Sequence, residues 1–186
     1  VEIRIVNHKF IDCRPMEIGK IIIKSPLVSQ GYYKLEKITK KSFFNDFFIT
    51  GDLGYLDVDG YLYFVNREKD LIISGGVNIY PSDIESYINS NKYVDICVVV
   101  GVKDLYLGEV VIAVVVSKDD DKVMVENNIR AVLRKELLPN QQPIKYFFES
   151  ELPYSPSGKI DRKLIQKKLN ELELDLTKTL RKIKSL

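Results

Sequence analysis

Apolar residues along this chain fall into short blocks separated by turn-forming clusters, and the blocks lengthen towards the middle. Ile21-Ile22-Ile23, closed by Ser25-Pro26, predicts a short strand. Gly54–Leu56 and Tyr61–Val65 flank Asp57-Val58-Asp59-Gly60, a hairpin turn with Gly60 available for positive φ. Leu71–Ile73 and Val77–Tyr80 flank Ser74-Gly75-Gly76, a second hairpin. The β-branched runs Ile96–Val102 and Val110–Val116 read as buried strands over 95–101 and 109–117, joined by Lys103–Gly108. Pro81 closes a strand, and Ser82 with Glu85 has the spacing of a capping box at a helix start. Ile129, Val132, Leu133 and Leu137 predict a helix over 123–138 that Pro139 ends. A third strand at Ile144–Phe148 and a helix opening near Asp161 complete the pattern.

The charged cluster Arg67-Glu68-Lys69-Asp70 interrupts this pattern and marks a boundary. Residues 1–68 are expected to be β-rich, and residues 69–186 to form an α+β domain. Beyond about Asn170, Ile165, Leu169, Leu172, Leu176, Leu180 and Ile183 recur at three- and four-residue steps. This stripe fits a terminal helix packed on its own domain. A helical contact making a homo-oligomer is the alternative. Lys178, Arg181, Lys182 and Lys184 add a third reading, attraction to an anionic membrane surface.

Composition narrows the class. The 186 residues accommodate one ordinary domain or two small ones. A 45% hydrophobic and 29% charged composition is that of a soluble globular protein with a core. Lys and Arg number 28 against 26 Asp and Glu, so net charge implies no nucleic-acid partner. Cys13, Cys97 and the single His8 lie too far apart for a zinc motif, and reduced thiols point to the cytoplasm. The longest apolar runs are far shorter than the roughly 20 residues needed to span a bilayer. The chain opens on Val1 rather than Met, which suggests processing or truncation.

Four places carry candidate chemistry. Thr50-Gly51-Asp52 sets a carboxylate beside a glycine, which makes either a plain turn or a site for a vicinal diol such as a ribose. Arg67 is either a solvated boundary charge or a partner of Asp52 and that diol. Ser74-Gly75-Gly76 is either a hairpin turn alone or one wall of a narrow channel, since its glycines leave the backbone bare. Lys159 stands in Leu152-Pro153-Tyr154-Ser155-Pro156-Ser157-Gly158-Lys159, where two prolines stiffen the flanks of one cation. Exposed loop lysines are commonly inert, but an ammonium delivered to a dry site stabilises charge gathering at a phosphate.

These segments occur in a telling order. The run Arg67 to Glu85, with Thr50-Gly51-Asp52 before it and Ser157-Gly158-Lys159 after it, resembles the adenylate-forming superfamily of acyl-CoA synthetases, peptide-synthetase adenylation domains and luciferases. Glu17 to Lys34 resembles the same family in the barrel-like subdomain ahead of its hinge. The similarity covers roughly residues 1–169. It implies an α+β fold: the β-rich end of a large AMP-binding domain over 1–68, then a small mobile domain over 69–186 with a β-hairpin and a three-stranded sheet flanked by helices. It implies ATP, Mg2+ and CoA as cofactors and a carboxylic acid as substrate, with the fatty- and aryl-acyl-CoA ligases the nearer branch and a fatty acid expected. Delivery to a carrier-protein thiol shares every motif.

By the same resemblance, Asp52 and Arg67 match the pair that holds the ribose, and Lys69 matches the hinge. Lys159 matches the lysine that assists adenylation, and Ser74, Gly75 and Gly76 match the loop lining the pantetheine tunnel. Asn66 stands where the family more often has Gly, and Asn tolerates a left-handed backbone. The family's phosphate loop and magnesium-holding glutamate are absent from these 186 residues. The expectation is therefore a C-terminal piece of a longer ligase, inactive alone, or else a non-catalytic module that retains the small domain.

Overall fold

The computed structural model describes residues 1–172. It divides into two compact units, Val1–Lys69 and a second from Asp70 onward.

The first unit holds strands β1 (Glu2–Val6) and β2 (Gly19–Lys24), the short helix α1 (Glu36–Lys41), and strands β3 (Phe43–Phe44), β4 (Phe47–Leu56) and β5 (Leu62–Arg67). All pairings are antiparallel, in the order β1-β2-β4-β3 with β5 also on β4. Its core is small, centred on Val6, Ile22 and Phe47. The β4–β5 turn forms as its residues predict. Asp57 Oδ1 accepts from the amides of Asp59 and Tyr61 at 3.0 and 2.8 Å, and Gly60 adopts φ 84°.

The second unit runs β6 (Ile72–Ser74), β7 (Val77–Ile79), α2 (Pro81–Asn89), β8 (Val94–Asp104), β9 (Gly108–Ser117), α3 (Lys122–Glu136), β10 (Lys145–Glu149) and α4 (Arg162–Glu171). The long β8–β9 hairpin is its spine, and β10 lies parallel to β9. The sheet has five strands where three were expected, because the β6–β7 hairpin joins it at Ser74 opposite Gly108. Two bonds stitch this junction: Gly75 N–H donates to the Leu107 carbonyl at 2.8 Å, and Glu109 Oε2 accepts from Ile73 N–H at 2.9 Å.

Both faces of the β8–β9 spine are covered, which explains its unbroken apolar runs. Cys97, Val99, Val111, Ala113 and Val115 meet Ile84 and Ile88 of α2 and Val125, Ile129 and Leu133 of α3. Val98, Val100, Ile112 and Val114 meet Leu152 with Ile165 and Leu169 of α4. The β6–β7 hairpin contributes Ile72 and Ile79 to the first cluster.

Helix starts differ from expectation in one instructive case. Pro81 itself opens α2, with Tyr80 at the cap position and no side-chain cap bond, so Ser82 lies within the first turn. Glu85 does not turn back to the helix start; its carboxylate is engaged by Val99 and Arg162. Helix α3 covers 122–136, capped by Asp121, which accepts from Met124 N–H at 3.0 Å. Its buried stripe is Val125, Ile129 and Leu133 at four-residue steps, so Val132 faces outward and Leu137 lies beyond the end. Asp161 caps α4, accepting from Leu164 N–H at 3.0 Å. Of the predicted tail stripe, Ile165 and Leu169 are buried, and Leu176, Leu180 and Ile183 lie outside the described residues.

Strand β8 pairs only with β9 among the described strands, which leaves a row of backbone groups on its other edge. Side chains from α2 and α4 bond to part of that row. Asn89 Oδ1 accepts from Cys97 N–H at 2.7 Å and Glu85 Oε1 from Val99 N–H at 2.6 Å. Arg162 donates to the Val99 carbonyl at 2.9 Å and Gln166 to that of Gly101 at 2.6 Å. Asn170 Oδ1 accepts from Lys103 N–H at 3.0 Å.

Candidate functional site

In the first unit, Asp52 and Arg67 occupy directly opposed positions on β4 and β5. A bulge delivers Asp52 there. While β2 advances from Lys20 to Ile22, β4 advances from Leu53 back to Ile49, so Thr50-Gly51-Asp52 carries extra length. Gly51 absorbs the turn at φ 76°, and the Thr50 hydroxyl fixes it by donating to the Ile21 carbonyl at 2.8 Å and accepting from Asp52 N–H at 3.0 Å. Arg67 Nε approaches Asp52 Oδ1 to 3.0 Å as an ion pair, yet without hydrogen-bond alignment, so this buried oxygen keeps open lone pairs. A half-exposed arginine beside a partly exposed carboxylate suits a diol. Glu68 follows, paired with Lys20 at 2.6 Å.

Asn66 departs from its expected role. It lies in β5 and is not among the residues with positive φ, so its tolerance of the left-handed region is unused. It is 7% exposed, and its Nδ2 has no hydrogen-bond partner. Lys69 is exposed in the 3-10 turn Glu68–Asp70, and the division between the units falls just after it.

In the second unit, Gly75 and Gly76 form the β6–β7 turn at φ 57° and 83°, the paired left-handed geometry of a tight hairpin. Both are exposed, and a Cβ built on Gly76 meets nothing within 4 Å. Ser74 beside them is buried at 7%. The backbone of this turn is therefore bare and open, as a close-passing ligand needs.

The Lys159 loop is a closed, hydrogen-bonded structure. Tyr154 and Ile160 form a bridge. Within it, Ser155 N–H donates to the Lys159 carbonyl at 2.7 Å and Gly158 N–H to the Ser155 carbonyl at 2.9 Å. The Ser155 hydroxyl adds a bond to the same Lys159 carbonyl at 3.0 Å, and Gly158 takes φ 76°. Leu152 and Ile160 root the loop in the α4-side core. Lys159 is exposed at the tip, and its ammonium makes no ion pair among the described residues. Ser157 and Gly158 thus belong to a hydrogen-bonded turn that carries one cation.

Sequence reasoning missed the pair beneath this loop. Arg162, three residues past Lys159, donates to both carboxylate oxygens of Glu85, at 2.5 and 2.7 Å. Burial disfavours its charge, but the hydrogen bond and attraction from Glu85 outweigh that and raise its pKa. One signal was legible: a cation in the first turn of α4 opposes the helix dipole, so it must serve something else.

Comparison with known proteins fits this arrangement. Residues 83–159 match the AMP-binding enzyme C-terminal domain. The chain is 40% identical over 149 residues to a long-chain-fatty-acid–CoA ligase of Bacillus subtilis, covering 80% of this chain and 26% of that protein. It is 41% identical over 148 residues to a 2-succinylbenzoate–CoA ligase of Oceanobacillus iheyensis, covering 80% and 30%. Among solved structures, the o-succinylbenzoate-CoA synthetase of Bacillus subtilis in complex with its acyl-adenylate superposes with a TM-score of 0.80 at 36% identity, over 89% of this chain and 33% of that one. That synthetase is also known in complex with ATP and a magnesium ion. The chain thus spans about a quarter to a third of the length of these relatives. Residues 83–159 thus belong to the AMP-binding enzyme C-terminal domain family, and about 80% of the chain is similar to CoA ligases.

Proposed function

We propose that these residues work as the C-terminal portion of an ATP-dependent acid–thiol ligase. In the first step a carboxylate oxygen attacks the α-phosphorus of ATP, the bond to pyrophosphate breaks, and an acyl-adenylate forms. In the second a thiol sulfur attacks the acyl carbon and AMP leaves. Asp52 and Arg67 hold the ribose hydroxyls, the partly exposed aspartate accepting from the diol. Lys159 meets the negative charge that accumulates on the α-phosphate. Ser74, Gly75 and Gly76 line the passage for the pantetheine arm, and Lys69 is the hinge between steps. On this reading residues 1–68 close a barrel-like subdomain of the large domain, and residues 69–186 are the small mobile one.

The observation that carries this reading is the rigid presentation of Lys159, a single exposed ammonium on a hydrogen-bonded turn. Magnesium neutralises phosphate charge when bound, and its glutamate ligand belongs to the large domain that the family resemblance implies. Among the described residues no helix is long and apolar enough to cross a membrane, and a cytoplasmic enzyme is the setting we favour.

The experiment is to express the complete reading frame containing this chain and assay it with ATP against fatty and aryl carboxylic acids. CoA and a carrier protein serve as alternative acceptors. Acyl-CoA formation supports the ligase, and loading of the carrier protein alone supports the adenylating alternative. Absence of pyrophosphate release with every acid leaves the non-catalytic module.

A further inference from the structure

The β8 edge is satisfied at Cys97, Gly101 and Lys103 by neutral amides, Asn89, Gln166 and Asn170. A neutral side chain therefore suffices to cover an edge group in this sheet. At Val99 the arrangement differs. Glu85 accepts from the Val99 N–H, Arg162 donates to the Val99 carbonyl, and the two side chains pair bidentately with each other. Among these edge contacts, only at Val99 do α2 and α4 fasten to the same residue. Side-chain exposure is 12% for Glu85 and 30% for Arg162, so both charges are held largely out of water, where an ion pair is no cheap route to stability.

The positions of the two helices give this pair a consequence. Helix α2 begins two residues after the β6–β7 glycine hairpin, and α4 begins three residues after Lys159. We propose that Glu85 and Arg162 are positioning residues that lock the Lys159 loop and the glycine hairpin into one rigid carrier. The loop is already closed internally, with its entry fixed by Leu152 in the core and Ile160 packed against the same cluster on the way out. Arg162 fixes its exit. With the exit released, the bonds that close the loop, Gly158 N–H to the Ser155 carbonyl at 2.9 Å and Asp161 N–H to the Pro153 carbonyl at 2.8 Å, open more often, and the ammonium loses its defined place. The role of the loop in catalysis rests on the function proposed above; its anchoring does not.

The test separates these two levels. Backbone amide exchange is measured on this chain and on its Arg162→Lys and Glu85→Gln variants, following Gly158 and Asp161 as loop donors and Ile112 and Val114 as sheet reporters. Lysine keeps the charge but cannot span Glu85 and the Val99 carbonyl together. Glutamine keeps the shape and an acceptor for Val99. The anchoring account expects exchange at Gly158 and Asp161 to rise by about tenfold in Arg162→Lys, and by less in Glu85→Gln, with the sheet reporters unchanged. Wild-type exchange at the loop in both variants overturns it, as does an equal rise across loop and sheet, which marks a merely structural pair. In the complete reading frame the same variants are expected to lower kcat for adenylation by about tenfold at unchanged KM for ATP. If the unmodified frame forms no adenylate while loop exchange rises as expected, the ligase reading falls and the anchoring stands.

Discussion

Arg67 faces Asp52 directly across the β4–β5 ladder, its Nε 3.0 Å from the carboxylate, so strand pairing itself holds the two charges in register. That register depends on Gly54, two residues along. A Cβ at Gly54 would stand 2.4 Å from the Tyr63 carbonyl oxygen, a backbone atom that cannot step aside. Gly54→Ala is expected to prise β5 from β4 and to destabilise the first unit by about 1–3 kcal/mol. Thermal unfolding checks the loss. Calorimetric titration of AMP into the complete enzyme checks the consequence, a weaker nucleotide site.

The glycine hairpin is sensitive for a different reason. Gly76 has open space around its Cβ position but sits at φ 83°, where an L side chain is strained by roughly 1–2 kcal/mol. Gly76→Ala is expected to lower stability by about that amount without a packing defect. In the complete enzyme it should slow thioester formation more than adenylation. An equal loss in both steps would separate this turn from the thiol passage.

Lys69→Pro tests the hinge. A proline φ near −65° is compatible with position 69 of the 3-10 turn Glu68–Asp70, and the ring restricts rotation about this residue. Adenylation by the complete enzyme should survive and thioester formation should fail. Retention of both steps would place the pivot elsewhere.

Stability should fall at alkaline pH. Burial raises the Cys97 thiol and Tyr146 phenol well above their ordinary values. A group whose folded-state pKa is raised contributes stability that is complete below its unfolded pKa and lost as pH rises beyond it. For these two the loss begins near pH 8.5 and 10 respectively, at up to about 1.4 kcal/mol per pH unit for each group. Cys97→Val should flatten the earlier part of the decline in urea unfolding measured between pH 8 and 10. An unchanged slope would mean the thiol is not the group responsible.

What the sequence made legible was local. Gly60, Gly75-Gly76 and Asp161 announced their turns and cap because the backbone conformations they serve are written in single residues. The apolar runs of β8 and β9 were readable as doubly covered strands. The Glu85–Arg162 pair was not, since its members stand 77 residues apart and meet only after α2 and α4 pack around the edge of β8. The capping-box spacing of Ser82 and Glu85 even pointed the wrong way. A local pattern lost to a charge-assisted contact of long range. The joining of the β6–β7 hairpin to the sheet escaped for a similar reason: β6 meets it through one residue pair, Ser74 and Gly108.

The central claim is that Lys159 serves the first half-reaction, and the most direct measurement divides the two. In the complete enzyme, Lys159→Ala should slow adenylate formation by about a hundredfold or more, read as ATP–pyrophosphate exchange. Thioester formation from preformed acyl-adenylate should remain close to wild type. Undiminished exchange, or equal loss in both half-reactions, would contradict the account.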